Sequence, residues 1–304
     1  TWKYDRPHRR LRVVADLVVG EATGGRVLDL GSSTGLLGRM IGPRFDYTGL
    51  DVAPSVARAE PGFRIRTAGL DGDWPLDRDP TGAVAPFDVV LASGALEYVA
   101  DLPATLRRIR SVLRPAGLAV VTLFNLAHVS RGPGATRHPT WRFDARPDEF
   151  VLYLREAGLP PVRLVASSAG RGAAPAVDAE VPTDLDRSGA VQTPVPALFQ
   201  LAHHLVAVCR AGAPKPGPAR VEELFVAGEV VQALRLAVAT VKDAPWSARA
   251  WSDLGVVWLA AGDVNQAHAA LTRAKDLDPS RPGLDDDLAA VASRLDPARA
   301  ATGG

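Results

Sequence analysis

The segment Arg26-Val27-Leu28-Asp29-Leu30-Gly31-Ser32-Ser33-Thr34-Gly35 carries the strongest structural signal in the chain. Residues 27–30 predict a short buried strand, and residues 36–41 predict a helix that begins directly after the turn. Gly31 and Gly35 let the backbone turn sharply and approach a ligand closely, because no side chain stands in the way. A strand that ends on an acidic residue, a tight turn and a helix N-terminus together indicate a nucleotide-binding corner of a doubly wound sheet.

A second acidic residue strengthens this interpretation. Asp51 ends the next predicted strand, in the sequence Tyr47-Thr48-Gly49-Leu50-Asp51. In doubly wound sheets an acidic residue about 20 positions after the glycine turn lies where the ribose of a nucleotide binds. The glycine spacing departs from the dinucleotide fingerprint G-x-G-x-x-G, so the glycines alone are a weak signal. The prediction depends on both acidic strand ends.

At these positions the chain resembles the class I S-adenosylmethionine-dependent methyltransferases, with five elements in the family's order. The matching positions are Asp29, Gly31 and Gly35 in the first motif, then Asp51, Leu70 with Asp71, residues 86–99, and residues 113–118. Ser33 stands where the family often has another glycine, which is a mild departure. The resemblance implies that Asp51 holds the ribose hydroxyls and that Leu70 and Asp71 lie beside the adenine. A doubly wound domain with another ligand is the alternative.

The resemblance implies S-adenosylmethionine as the cofactor and S-adenosylhomocysteine as its product. The implied cofactor site consists of Tyr4, Asp29, Gly31, Ser32, Ser33, Gly35, Asp51, Val52, Leu70, Asp71 and Ser93, with Tyr4 in an N-terminal lid. No cluster of carboxylates and histidines with metal-ligand spacing stands out, so no metal is expected.

The acceptor is expected beyond the carboxyl ends of strands four and five. The sequence there resembles a branch of the family with an Asn-hydrophobic-Ala-His segment after strand five, whose members are often linked to sugar or polysaccharide modification. The candidate catalytic residues are His128, Tyr98 and His138, and the candidate acceptor-binding residues are Asn125, Trp141 and Arg142. His128 is the first candidate for a base or acceptor-orienting group, because imidazole titrates near neutral pH. A loop histidine that satisfies backbone groups is the alternative.

The predicted fold is α/β, with a doubly wound, mostly parallel, seven-stranded sheet whose last strand is antiparallel. We assign this methyltransferase domain to residues 1–212 and place the last strand near Leu201 to Cys209. Residues 169–197 are rich in Pro, Ala and Gly without periodicity, which predicts a loop insertion. Residues 213–219 are a linker by composition.

The chain beyond the linker resembles tetratricopeptide repeats, which predicts a small all-α domain at residues 220–296 and a disordered tail at 297–304. The key positions of one repeat are Trp251, Leu254, Gly255, Trp258, Ala267, Leu271, Ala274 and Pro279, and those of a weaker copy are Leu224, Ala233, Ala237 and Pro245. Two repeats bury little core, so we expect this part to lean on the first domain or on a partner. It either binds a peptide or partner protein in its groove or serves as a packing or dimerisation module, which leaves a homodimer open.

The composition sets limits on the function. The formal net charge of +1 disfavours nucleic acid and membrane surfaces as partners. The basic cluster Arg6, His8, Arg9, Arg10 and Arg12 is interpreted as a solvated helix face. The single cysteine, Cys209, excludes an internal disulfide, and we expect a reducing, cytoplasmic location. The chain begins at Thr1 without an initiator methionine, which leaves room for a preceding segment.

Together these features predict a methyltransferase that O-methylates, or less favourably N-methylates, a peptide or natural-product intermediate, with the helical part helping to dock a peptide. A small-molecule acceptor is included in this prediction. One alternative is a sugar or polysaccharide-precursor methyltransferase. The other is a methyltransferase fold without chemistry that acts as a binding scaffold.

Overall fold

The computed structural model describes residues 8–52, 62–125, 142, 146–168, 177–181 and 204–295. They fall into two compact units. Among the described residues, the first unit contains a β-sheet with the helices that cover it, and the regular structure of the second is helical.

In its described residues, the first unit contains eight strands and three α-helices. The strands are β1 (Gly25–Leu30), β2 (Phe45–Asp51), β3 (Arg64–Thr67), β4 (Phe87–Ala92), β5 (Leu113–Phe124), β6 (Pro161–Ser168), β7 (Val177–Val181) and β8 (His204–Arg210). The helices are α1 (Arg9–Glu21), α2 (Leu36–Ile41) and α3 (Leu102–Val112), with a short 3₁₀ turn at Leu96–Tyr98.

The described part of the second unit contains six helices. They are α4 (Pro147–Glu156), α5 (Pro218–Val226), α6 (Val230–Asp243), α7 (Ala248–Ala260), α8 (Val264–Leu277) and α9 (Leu284–Leu295). Helix α5 begins at Pro218, two residues before the predicted start of the helical domain at residue 220.

The strands form one sheet in the order β3-β2-β1-β4-β5-β8-β6-β7. β1 to β5 pair in parallel, and β8 runs antiparallel to both β5 and β6. The predicted mostly parallel sheet with an antiparallel last strand is therefore confirmed, and one strand more than the predicted seven, β7, lies at its edge. Because β1 to β5 are parallel, their carboxyl ends meet along one edge.

An eighth strand lies where the sequence analysis predicted only a loop. β7 pairs antiparallel with β6 within the stretch 169–197, so the loop prediction is wrong for residues 177–181. The sequence Val-Asp-Ala-Glu-Val alternates apolar and acidic residues, which is the period of a strand. The Pro, Gly and Ala content of the flanking residues masked this short signal.

Apolar side chains from the middle of the sheet build the core of the first unit. Leu28 and Leu30 of β1, Leu91 of β4 and Val120 of β5 are fully buried. Near-continuous apolar runs of this kind are typical of parallel strands that are covered on both faces. The core therefore fixes the positions of the strand ends.

The second unit is a series of closely packed helices. Between α7 and α8 the approach depends on Gly255, since a Cβ atom there would lie 2.6 Å from the Leu271 Cγ atom. Ala267 and Leu271 are fully buried, and Trp251 and Trp258 pack against them.

Helix α4 belongs to this helical unit, although the sequence analysis placed it in the domain at 1–212. Leu152 joins the apolar cluster that contains Val221 and Leu224 of α5. At the end of α4, the Glu156 carboxylate accepts the backbone amides of Gly217, Ala219 and Arg220, at 3.3, 3.2 and 2.9 Å. These bonds satisfy amides at the start of α5 that have no partner inside the helix.

Buried ion pairs fix the other end of α4. Arg281 Nη2 donates to Glu149 Oε1 at 2.7 Å, and Arg249 Nη1 lies 3.4 Å from the same oxygen. Asp148 Oδ2 accepts from Ser247 Oγ and from the Arg249 amide, both at 3.0 Å. The side chains of Arg281 and Glu149 are only 8% and 11% exposed. Burial, with the charge of Glu149 next in importance, raises the pKa of Asp148.

Replacing Arg281 with Met should strongly destabilise the second unit. The change keeps most of the apolar stem but leaves the buried carboxylates with one cation fewer, and breaking a buried pair costs about 3–5 kcal/mol. We expect the free energy of unfolding in urea to fall by about 3 kcal/mol. The matched control is Arg220→Met, which removes an exposed pair with Glu223 (side chains 53% and 56% exposed). An exposed pair contributes about 0–1 kcal/mol, so equal losses in the two variants would contradict the prediction.

Candidate functional site

The turn after β1 has the backbone conformation that the glycines predict. Gly31 has a φ of +72°, and a Cβ atom there would lie 2.7 Å from the Ala95 Cβ atom, so only glycine fits. The amides of Gly31 and Ser32 donate to the Leu50 carbonyl of β2, at 2.8 and 3.1 Å. Ser33 also has a positive φ, of +52°, which is a backbone conformation that favours glycine.

Asp51 joins this turn to the end of β2. Its Oδ2 atom accepts the Ser33 amide at 2.6 Å, and its Oδ1 atom accepts the Val52 amide at 2.7 Å. The carboxylate therefore lies at the carboxyl end of β2, beside the turn after β1, and backbone donors fix its orientation. It is only half-buried, so its charge faces the space beside the turn.

Asp29 is an acid at the base of the same space. It is 2% exposed, and its Oδ2 atom accepts a 2.5 Å hydrogen bond from the Tyr47 hydroxyl. Burial raises the pKa of Asp29 from 3.8 to about 7, against the opposing effect of the Tyr47 hydrogen bond and with a smaller rise from the charge of Asp51. Burial and the Asp29 charge raise the pKa of Tyr47, so the phenol remains the donor.

These groups line a cavity of about 410 Å³ at the carboxyl edge of the sheet. Nine of the predicted cofactor residues line it: Asp29, Gly31, Ser32, Ser33, Asp51, Val52, Leu70, Asp71 and Ser93. Leu11, Leu36 and Leu37 add an apolar wall. Gly35 is not part of the lining; it packs beside Phe63 and Ile65, where a side chain would crowd both. The structure thus brings the sequence-predicted cofactor residues together.

Two basic residues of the cavity were missed by the sequence analysis. His8 and Arg10 line the cavity, whereas the sequence predicted that both lie on a solvated helix face. Arg10 Nε donates to Ser93 Oγ at 3.2 Å, so contacts with residues far along the chain hold its side chain at the cavity. No local pattern could have shown this. Arg10 is the only arginine or lysine among the described residues that line the cavity.

Three predicted acceptor-side residues can be placed. Tyr98 lines the cavity and is 41% exposed. Arg142 is exposed, but its Nη1 atom donates to Asp71 Oδ2 at 3.1 Å and its amide donates to the Glu97 carbonyl at 2.9 Å. Asn125 is fully buried at the end of β5. Arg142 thus supports Asp71 in the cavity wall.

Glu97 is a buried carboxyl that the sequence analysis did not single out. It is 3% exposed, its Oε1 atom accepts the Phe124 amide at 2.7 Å, and its Oε2 atom has no hydrogen-bond partner among the described residues. Burial raises the pKa of this group. The predicted site residues Tyr4, His128, His138 and Trp141 lie outside the described residues.

Comparison with known proteins gives the class of the chain. Residues 2–159 match the model of a methyltransferase domain family, which is just over half of the chain. The chain therefore belongs to this family of methyltransferase domains.

Individual relatives match over shorter stretches. The ubiquinone biosynthesis O-methyltransferase of Cereibacter sphaeroides is 34% identical over 158 residues, 46% of this chain and 62% of the relative. The biotin biosynthesis bifunctional protein BioCD of Bordetella avium is 36% identical over 105 residues, 32% of this chain and 22% of the relative. The chain thus spans less than two thirds of either relative.

Among solved structures, the chain is similar to Burkholderia thailandensis 1,6-didemethyltoxoflavin-N1-methyltransferase with bound 1,6-didemethyltoxoflavin and S-adenosylhomocysteine. The sequence identity is 21%, the TM-score is 0.43, and the match covers 67% of this chain and 79% of the other.

The cofactor of this methyltransferase fold is S-adenosylmethionine, and the residues present fit it. The cavity offers the Asp51 carboxylate beside the glycine turn, apolar walls that suit an adenine ring, and carboxyl and guanidinium groups that suit a zwitterionic amino-acid group. Within the described part of the chain, no group of three or more His, Cys, Asp or Glu side chains is arranged to hold a metal ion. No helix among the described residues is long and apolar enough to cross a membrane.

The raised pKa of Asp29 makes a specific prediction for pH dependence. The folded chain holds this proton more tightly than the unfolded chain, so its contribution to stability is complete below about pH 4 and is lost as the pH rises through 7. In Asp29→Asn this dependence should disappear. The free energy of unfolding of the unchanged protein should therefore fall, relative to the variant, by roughly 2–3 kcal/mol between pH 5 and pH 8. A pH-independent difference between the two in urea unfolding would contradict the prediction.

Proposed function

We propose that the protein transfers the methyl group of S-adenosylmethionine to an oxygen atom of a peptide or natural-product intermediate. The observation that carries the proposal is the cavity itself, in which Asp51, Asp29 and the Gly31 turn meet at the carboxyl ends of adjacent parallel strands. The similarity to a relative named as an O-methyltransferase supports oxygen as the acceptor atom. Nitrogen is the second choice.

We assign the parts of the cofactor to the cavity residues by their chemistry. Asp51, held by the Ser33 and Val52 amides, would accept the ribose hydroxyls. Leu70 and Asp71 would lie beside the adenine. Arg10 carries the charge that suits the carboxylate of the methionyl group, because guanidinium and carboxylate form strong charge-assisted hydrogen bonds.

Methyl transfer needs position more than activation. When bound, S-adenosylmethionine supplies an electrophilic methyl group on a sulfonium. The chain must then hold an acceptor in line with that bond, and positioning of this kind lowers a barrier by about 7–11 kcal/mol. A base adds about 10²–10⁴-fold when the acceptor is a hydroxyl that ionises poorly. Tyr98, at the cavity edge, is the described candidate for contact with such a hydroxyl, and His128 and His138 remain candidates for the base.

For the second unit we propose that the helices form a tetratricopeptide-like array with a packing role. Its Arg249 and Arg281 side chains bind Asp148 and Glu149 of α4, which supports a structural role over the docking of a foreign peptide at these residues. If the acceptor is a peptide, as proposed above, other surfaces of the array would help to dock it. A sugar or polysaccharide-precursor acceptor, with the array only organising the chain, is the alternative.

The cofactor assignment predicts the effect of Asp51→Asn. The variant keeps one oxygen that can accept the Ser33 amide, but it loses the second acceptor, which the Val52 amide uses, and the charge that strengthens hydrogen bonds to the ribose. We expect calorimetric titration to show S-adenosylhomocysteine binding about tenfold or more weaker than to the unchanged chain. Asp46→Asn is the matched control, because Asp46 lies on the same strand with its side chain exposed and outside the cavity. Binding that is equal in all three proteins would contradict the assignment.

Turnover tests the acceptor side. With labelled S-adenosylmethionine and a panel of hydroxyl-bearing peptides, small hydroxyl compounds, sugars and amines, we expect label to enter a hydroxyl acceptor. Tyr98→Phe should then lower kcat by about 10²-fold while the dissociation constant of S-adenosylhomocysteine stays unchanged. Unchanged turnover in the variant would place the acceptor away from Tyr98. Label only in sugars would favour the alternative substrate class, and no transfer to any acceptor would favour the scaffold.

A further inference from the structure

The guanidinium of Arg10 is held by residues from two distant parts of the sheet. Its Nε atom donates to Ser93 Oγ at 3.2 Å, and its Nη2 atom donates to the Ser93 carbonyl at 3.4 Å. Its Nη1 atom lies 3.3 Å from His204 Nε2. Ser93 follows β4 and His204 begins β8, so a side chain of α1 is fixed against the ends of two strands.

A glycine forms the third side of this holder. Gly94 has a φ of +71°, and a Cβ atom there would lie 2.3, 2.5 and 2.6 Å from three atoms of the Arg10 guanidinium. The Gly94 amide donates to Thr122 Oγ1 at 2.8 Å, which fixes the glycine backbone in place. The arginine can therefore take this position only because residue 94 has no side chain.

The contact with His204 determines the protonation of the imidazole. An arginine guanidinium stays protonated in proteins, so each of its nitrogens is a donor. The Nε2 atom of His204 must then be the acceptor, which places the proton on Nδ1 and keeps the ring neutral. The ring also packs edge-on against Phe124, with 5.1 Å between centroids. His204 thus meets Arg10 as an oriented, neutral acceptor.

We propose that His204 and Gly94 are positioning residues that hold Arg10 towards the carboxylate of the cofactor's methionyl group. This role rests on the proposed function, in which Arg10 binds that carboxylate. A long, flexible arginine loses side-chain freedom when it binds, and a holder that orients it beforehand reduces that loss. The two residues act through Arg10 and need not touch the cofactor.

The experiment compares two ligands that differ only in the carboxylate: S-adenosylhomocysteine and its decarboxylated analogue. His204→Leu removes the acceptor, and His204→Gln keeps an acceptor on a side chain of similar reach. We expect His204→Leu to weaken the binding of S-adenosylhomocysteine about tenfold and to leave the binding of the analogue unchanged. His204→Gln should bind both ligands as the unchanged protein does. In an Arg10→Met background, His204→Leu should have no further effect on either ligand.

Gly94→Ala tests the other side of the holder. The added methyl group should displace the guanidinium and weaken the binding of S-adenosylhomocysteine at least tenfold relative to the binding of the analogue. Gly42→Ala is the matched control, because Gly42 also has a positive φ, of +89°, but a Cβ atom there would meet nothing within 4 Å. This control adds a side chain at a positive φ without a steric clash, so we expect it to bind both ligands as tightly as the unchanged protein does.

Three outcomes would overturn the proposal. His204→Leu could weaken both ligands equally, which indicates a general structural role. It could weaken the binding of neither ligand, or it could weaken the binding of S-adenosylhomocysteine further in the Arg10→Met background. A different result identifies a failure of the proposed function itself: the unchanged protein would then bind neither ligand, and the positioning role would fall with the cofactor site.

Discussion

The hydrogen bond from the Ser33 amide to the Asp51 carboxylate fixes the cavity, because it joins the turn after β1 to the end of β2. The amides of Gly31 and Ser32 reach the neighbouring Leu50 carbonyl, so the turn and the strand end are located together. Ser33 has an unfavourable positive φ, and the bond to a carboxylate offsets part of that strain. The charge, the glycine turn and the opening between them therefore form one arrangement, and the other residues of the cavity surround it.

The second unit depends on a different constraint, which is the placement of buried charge. Burying ion pairs contributes little net stability, but an unpaired buried charge is costly, so the pairs select one arrangement of helices. Asp148 and Glu149 lie in the first turn of α4, where the helix dipole favours acids, and face Arg249 and Arg281. The methyltransferase family match ends at residue 159 and so includes α4. The same helix therefore belongs to the family by sequence and to the helical unit by packing.

Features that are set by local sequence could be predicted, and those set by distant contacts could not. The strand, turn and acidic residues around Asp29 and Asp51 follow from apolar runs and glycines, and the structure places them as expected. Arg10 looked like part of a solvated helix face because its partners, Ser93 and His204, lie 83 and 194 residues away. The allocation of α4 likewise depends on arginines about 100 to 132 residues further on. The strand β7 was missed for another reason, since five alternating residues are short against their Pro- and Gly-rich surroundings.

The charged groups that line the cavity suit a cationic ligand such as the methyl donor. Three carboxyl groups (Asp29, Asp51 and Asp71) and one guanidinium line it. S-adenosylmethionine carries a sulfonium, an ammonium and a carboxylate, whereas the product has lost the sulfonium charge. A cation near Asp29 lowers the pKa of a carboxyl that burial and Asp51 have raised to about 7. A bound cation would therefore favour the ionised form of Asp29, and the product, which lacks the sulfonium charge, would favour it less. A buried acid beside a second acid destabilises the empty fold, and binding a cation offsets that cost.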